Sequence, residues 1–257
     1  MKLHRLITLM LLIGMLSAIK LSAQNNKQEV IPPYPDTTLS KAIKQEYLKV
    51  QKKAYRMALT NQDFMAAANA LYCIIVLDKK MAWKDSLANL YFSNGAFVQC
   101  MAVARGILLE APDNQRMLEM LAISEDSTGN LKGAIDAYER LYTQTQNIQI
   151  LYLIATFQYT LKRYGECESS IQNLLNHPEI NKATISIKES KDHPLQEVPL
   201  KAAVLNLRGV MLKELNKKEE AKKNFEEALQ LFPEYILAKG NLEEMKKADG
   251  NTSKKKK

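Results

Sequence analysis

Residues 205–235 read LNLRGVMLKELNKKEEAKKNFEEALQLFPEY, and this stretch decides the fold. Leu205, Gly209 and Leu212 recur at the spacing of one helix face, and Ala221, Phe225 and Ala228 repeat that spacing after a break. The break, Asn216-Lys217, is a turn, because asparagine tolerates the left-handed backbone that ends a helix. Pro233 closes the second helix, since proline lacks the N–H that would continue it. Two antiparallel helices joined by so short a turn pack closely only where neither side chain is large. Gly209 and Ala221, twelve residues apart, supply that pair of small residues.

The arrangement recurs upstream. Ala54, Ala88, Ala122, Ala155 and Gly209 follow one another at intervals of 34, 34, 33 and 54 residues. Each is followed after twelve residues by Ala66, Cys100, Ala134, Cys167 or Ala221, and after seven more by Cys73, Ile107, Leu141, Leu174 or Ala228. Asn61-Gln62-Asp63, Asn94-Gly95 and Gly129-Asn130 sit where Asn216-Lys217 does. Pro112 ends the second unit as Pro233 ends the fifth, whereas Asp78 and Glu179 stand in that place in the first and fourth.

A period near 34 residues of paired helices resembles the tetratricopeptide repeat (TPR). Residues 205–235 fit that pattern except at Arg208, where the family usually has leucine. The resemblance spans about Tyr47 to Tyr235. It implies an all-α, right-handed superhelical solenoid of about five helix-turn-helix units, near 47–80, 81–114, 115–147, 148–181 and 202–235. Ile236–Lys247 reads as the polar capping helix such an array needs, so the solenoid domain covers 39–248. The long interval leaves an insertion at 180–199. There Ala183 to Lys188 alternates as a short strand does, and the segment reads either as a floppy loop or as a protruding hairpin that touches a partner.

Lys2, His4 and Arg5 precede an apolar run from Leu6 to Ala18, and Leu21-Ser22-Ala23 closes it with small residues. This is the pattern of a signal peptide over 1–23. The 13-residue run is shorter than the roughly 20 residues that span a bilayer. No cysteine follows it to carry a lipid anchor. Residues 24–38, with Pro32, Pro33 and Pro35, read as an extended leader into a helix capped by Thr38 or Ser40. Residues 249–257 read as a disordered Lys-rich tail. The expectation is an exported protein of a Gram-negative periplasm, soluble after cleavage, and its Ser22-Ala23-Gln24 boundary resembles Bacteroidetes export signals.

The formal charge of +8 belongs mostly to the ends: +5 remains for 24–257 and +1 for 24–253. A near-neutral body gives nucleic acid no basic face. Cys100 and Cys167 fall on small-residue places and Cys73 on an apolar one, so the three read as packing residues, and whether a pair is oxidised stays open. His177 and His193 are the histidines beyond the signal, and no metal-ligand spacing, phosphate-binding glycine loop or nucleophile elbow accompanies them. The expectation is a protein-binding chain with no catalytic residues, metal or cofactor.

In the TPR family the first helix of each pair lines a groove. The facing places lie three before, one after and four after the small residue. Here they are Gln51, Tyr55 and Ala58; Asp85, Asn89 and Phe92; Glu119, Ile123 and Asp126; Tyr152, Thr156 and Tyr159; Asn206, Val210 and Lys213. Tyr55, Asp85, Asn89, Phe92, Glu119, Tyr152, Thr156, Tyr159 and Asn206 are the candidate contacts, because apolar bodies with polar tips suit an extended peptide or a partner helix. Asp85, Glu119 and Asp126 favour a basic or neutral ligand, and Gln51 with Tyr55 does not match the Lys-then-Asn clamp that grips chaperone carboxylates. The resemblance implies a scaffold or adaptor for a protein or peptide partner in a cell-envelope complex. The alternative is a permanent structural or accessory subunit of a secretion or glycan-handling assembly.

Overall fold

A computed structural model describes residues 40–188 and 195–254. The expected signal peptide and extended leader, the tip of the insertion and the last three lysines lie outside the described residues. The chain divides into two units, one up to Tyr47 and one from Leu48 onward. Of the first, the described part is the opening of helix α1 (Lys41–Thr60). Ser40 caps it, its Oγ accepting from the Ile43 N–H at 3.4 Å and its carbonyl from the Lys44 N–H at 3.1 Å.

From α1 onward the helices come in consecutive pairs. α1 is followed by α2 (Phe64–Leu77), α3 (Met81–Ser93) by α4 (Phe97–Glu110), and α5 (Gln115–Ser127) by α6 (Leu131–Thr145). α7 (Ile148–Thr160) is followed by α8 (Tyr164–Leu175), α9 (Leu200–Glu214) by α10 (Lys218–Leu231), and α11 (Ile236–Lys254) closes the array. The architecture is the expected all-helical solenoid.

Local chemistry sets the punctuation. The side chains of Asp63, Asn114, Asn130 and Asn147 cap α2, α5, α6 and α7 by accepting backbone N–H bonds of 2.8–3.3 Å. Within each pair the turn passes through one left-handed residue: Gln62, Gly95, Gly129, Lys162 and Asn216, with φ between 56° and 81°. Their spacing is 33, 34, 33 and 54 residues.

That spacing corrects the register of the first repeat. Ala54 and Ala66 are exposed, and Cys73 is half-buried. The fully buried places belong to Ala67 and Ile74, one residue later, and Tyr55, twelve residues before Ala67, is half-buried against the same core cluster. In the other four repeats the small pairs Ala88/Cys100, Ala122/Ala134, Ala155/Cys167 and Gly209/Ala221 are buried as expected, and so are Ile107, Leu141, Leu174 and Ala228. Gly209 shows why smallness matters: a Cβ there would lie 2.6 Å from Cε1 of the buried Phe225 ring. Cys73, Cys100 and Cys167 are all free thiols. Burial pushes the Cys167 thiol up to about 12, the setting of an inert packing residue.

α11 covers the last pair. Leu242 and Met245 pack with Leu212, Ala221 and Phe225, and Ala238 with Ala228 and Tyr235. The helix runs to Lys254, beyond residue 249 where the sequence places the start of a disordered tail. Lysine and alanine are good helix formers, and a packed preceding stretch carries the helix through Gly250.

The insertion is a hairpin, and it is docked rather than protruding. β1 (Thr184–Ile187) pairs antiparallel with β2 (Gln196–Pro199), Ile185 opposite Val198. Val198 is fully buried, a contribution of about 1.5–3 kcal/mol for a side chain of this type. Ile185 and Ile187 pack against the same cluster, which includes Ala202, Leu205 and Tyr235. Gln196 ties the hairpin to the start of α11: its Nε2 donates to the Glu234 carbonyl at 2.8 Å, and its Oε1 accepts from the Ile236 N–H at 3.2 Å. Among the described residues no helix is long and apolar enough to cross a membrane.

Candidate functional site

The first helices α1, α3, α5, α7 and α9 carry the candidate row, and its members fall into two groups. Most are engaged inside the solenoid. Tyr55 occupies the small-residue place of the first pair and packs against the core, and burial raises its phenol pKa. Phe92 meets Phe97 edge-on at 6.1 Å. The Asn89 carboxamide oxygen accepts from Arg116 on α5. Tyr152 packs between two core clusters, its phenol pushed up to about 12 by burial, and Thr156 Oγ1 donates to the Tyr152 carbonyl at 2.9 Å. Asn206 is buried and accepts from Asn241 Nδ2 of α11 at 3.0 Å. Asp85 is half-buried, with Oδ1 lacking a hydrogen-bond partner.

Tyr159 belongs to a clamp. Its hydroxyl donates to Glu214 Oε1 at 2.6 Å, and the Tyr164 hydroxyl donates to the other carboxylate oxygen, so α7, α8 and α9 meet on one side chain. The two phenols hold the Glu214 carboxyl below the usual carboxylate range. A lowered native pKa means the clamp stabilises the fold above the ordinary carboxylate range and loses that contribution as pH falls through it. Glu214→Gln is therefore expected to flatten the acid side of a urea-midpoint-against-pH profile while changing the neutral value only modestly, because the carboxylate is near solvent. An unchanged acid slope would contradict this assignment.

The second group faces solvent. Glu119 and Asp126 on α5 are exposed, with Ile123 half-buried between them. Beside them lies a cavity of about 470 Å³. Ile123, Ile150 and Leu153 give it an apolar floor, and the hairpin supplies its far wall through Ile185, Ser186 and Glu197. The hairpin is pinned there by Gln149 Nε2, which donates to the Thr184 carbonyl at 2.6 Å. Tyr138 closes the floor, and burial together with the charges of Asp126 and Glu119 pushes its phenol up to about 12. The charged residues that line the pocket are both carboxylates, Glu119 and Glu197. Among the described residues no group of three or more His, Cys, Asp and Glu could hold a metal ion.

Glu119 and Ile123 of this pocket are legible in the sequence, whereas Gln149, Ser186 and Glu197 are not. The alternation at 183–188 was a usable sign of the strand, but nothing local says that it turns back onto the first-helix face.

Consecutive helix pairs stacked in this way define a class of repeat proteins. The last pair matches the family model described as tetratricopeptide repeat over residues 202–235, and the chain has the tetratricopeptide-repeat fold. No curated protein matches the chain in a sequence search. Among solved structures it is similar to MamA, with 13% identity, a TM-score of 0.53, and coverage of 72% of this chain and 92% of that one. It is similar to YrrB, described as a TPR protein with an unusual peptide-binding site, with 12% identity, a TM-score of 0.53, and coverage of 75% and 88%. A third likeness is to the Naa15/Naa10 complex bound to HypK, with 20% identity, a TM-score of 0.54, and coverage of 79% of this chain but 30% of that one. These identities carry the fold alone. The 202–235 match and these likenesses together give the chain the tetratricopeptide type of scaffold.

Proposed function

We propose that the protein is an exported, periplasmic adaptor that holds a protein or peptide partner in a cell-envelope complex, and that the partner seats on the first-helix face of the third and fourth pairs. The observation that carries this reading is the solvent-facing cavity at Ile123, Ile150 and Leu153, apolar at its floor and carboxylate-rimmed. Recognition sites combine those two features, an apolar surface for affinity and a few polar groups for orientation. Export rests on the signal pattern of residues 1–23. No catalytic step is assigned to the chain. The test is photo-crosslinking from this face against the outer face of the same repeat, with an adduct expected from the groove side alone.

A second reading, a permanent subunit of a secretion or glycan-handling assembly, draws on a different surface. Val50 and Met57 on α1 and Met65, Tyr72 and Val76 on α2 are all exposed, Val76 to 73%. Exposed apolar residues of this size suit a lasting contact more than a transient one.

A further inference from the structure

The hairpin offers more than a wall. The Leu200 N–H donates to the Ala183 carbonyl at 2.8 Å, and Thr184 lies opposite Pro199. In an antiparallel ladder this makes Ile185 and Val198 the mutually bonded pair and turns the backbone N–H and C=O of Thr184 and Ser186 to the outer edge of β1. That edge faces the cavity, because the Thr184 carbonyl accepts from Gln149 on α7 and because Thr184, Ile185 and Ser186 line the pocket. The sheet has two strands, so β1 has no neighbour on this side among the described residues. A side-chain amide thus already stands where a third strand's N–H would, and the Ser186 backbone groups point the same way.

The charge of the pocket selects what can lie there. Its lining contains two carboxylates, Glu119 and Glu197, and no lysine, arginine or histidine. Glu197 accepts from the Ser186 hydroxyl, whereas Glu119 is exposed and enters no ion pair among the described residues. The floor between them is aliphatic. A ligand that satisfies edge, floor and charge together is extended, alternates apolar and polar side chains, and carries one cation.

We propose that the outer edge of β1 takes an extended peptide as a third strand, with a lysine or arginine side chain of that peptide held in the pocket of Glu119 and Glu197. The proposal rests on the groove reading above and narrows it to a class of ligand. Main-chain bonds to the edge supply affinity without regard to sequence, and the pocket supplies the selectivity.

The test is selection of a random peptide display library on the full chain, compared with Glu119→Gln/Glu197→Gln and with Ser186→Pro. Proline at 186 removes an outward N–H and leaves the bonds between β1 and β2 in place. Enriched peptides are expected to carry a basic residue at a fixed place in an alternating frame. Their affinity should fall about tenfold on the double Gln variant, the size of one charge-assisted hydrogen bond, and comparably on Ser186→Pro, with melting unchanged. Enriched peptides without a basic preference, or binding that ignores all three substitutions, would overturn the proposal and leave the groove reading standing. Failure to enrich any peptide would overturn both.

Discussion

Phe225→Ala is expected to destabilise the C-terminal part of the solenoid by about 3–5 kcal/mol, the range for deleting a buried aromatic ring. Phe225 is fully buried among Leu212, Ala221, Leu242 and Met245, and its ring lies against Gly209 so closely that a Cβ would meet Cε1 at 2.6 Å. The ring fills the space between the α9 backbone at Gly209 and the α11 side chains Leu242 and Met245, which cannot close over it, so a cavity is left. In a repeat array stability is nearly a sum over units and their interfaces. The loss should therefore appear first as faster amide exchange in α9, α10 and α11, with the thermal midpoint of that segment lower by on the order of 10 °C. Gly209→Leu attacks the same contact from the other side by overpacking it. Gly106→Ala is the control: nothing lies within 4 Å of its Cβ, so the substitution is expected to stabilise α4 by about 0.5–1 kcal/mol. Uniform exchange across all repeats in Phe225→Ala would contradict the local account.

The second large effect lies at the middle of the array. Glu125 on α5 has a side chain only 3% exposed, held by the guanidinium of Arg105 on α4 and by Asn130 Nδ2 at 2.7 Å. Gly133 makes room for this carboxylate, since a Cβ there would come within 2.8 Å of its Cδ and 2.6 Å of Asn130 Nδ2. Arg105→Ala leaves a buried charge with one neutral partner, and the expected cost is about 3 kcal/mol. That is the lower end of the range for a broken buried pair, because the Arg105 side chain is itself 57% exposed. Adding Glu125→Gln to Arg105→Ala should recover a substantial part of the loss, since an amide tolerates the same site without a counter-charge. A urea-unfolding double-mutant cycle reads this coupling directly, and additive losses would contradict it.

Much of the fold was legible because the repeat states its own spacing. Small residues at Ala88, Cys100, Ala122, Ala134, Ala155, Cys167, Gly209 and Ala221 mark helix crossings, and a helix crossing is a local demand that residue size answers. The first repeat shows the limit. Ala54 and Ala66 are also twelve residues apart, one residue out of phase with Tyr55 and Ala67, and no local rule separates the two registers. The left-handed Gln62, 33 residues before Gly95, decides between them, and backbone conformation at a glutamine is not written in its type. The candidate site was less legible for the same reason at longer range. The polar tips of Tyr159 and Asn206 are taken by Glu214 and Asn241, 55 and 35 residues away. β1 announces itself by alternation, whereas Gln196-Glu197-Val198-Pro199 has none to read, and the docking of the hairpin depends on Gln149 and on the loop before α11.

The measurement that most directly tests the adaptor reading is site-specific photo-crosslinking in the cells that make the protein. A benzophenone amino acid is placed at Asp126, exposed on the first-helix row of the third pair, or at Glu139, exposed on the second helix of that pair. A discrete protein adduct is expected from position 126 and none from position 139. Adducts from position 139 with none from position 126 would contradict the adaptor reading and move the partner to the outer face.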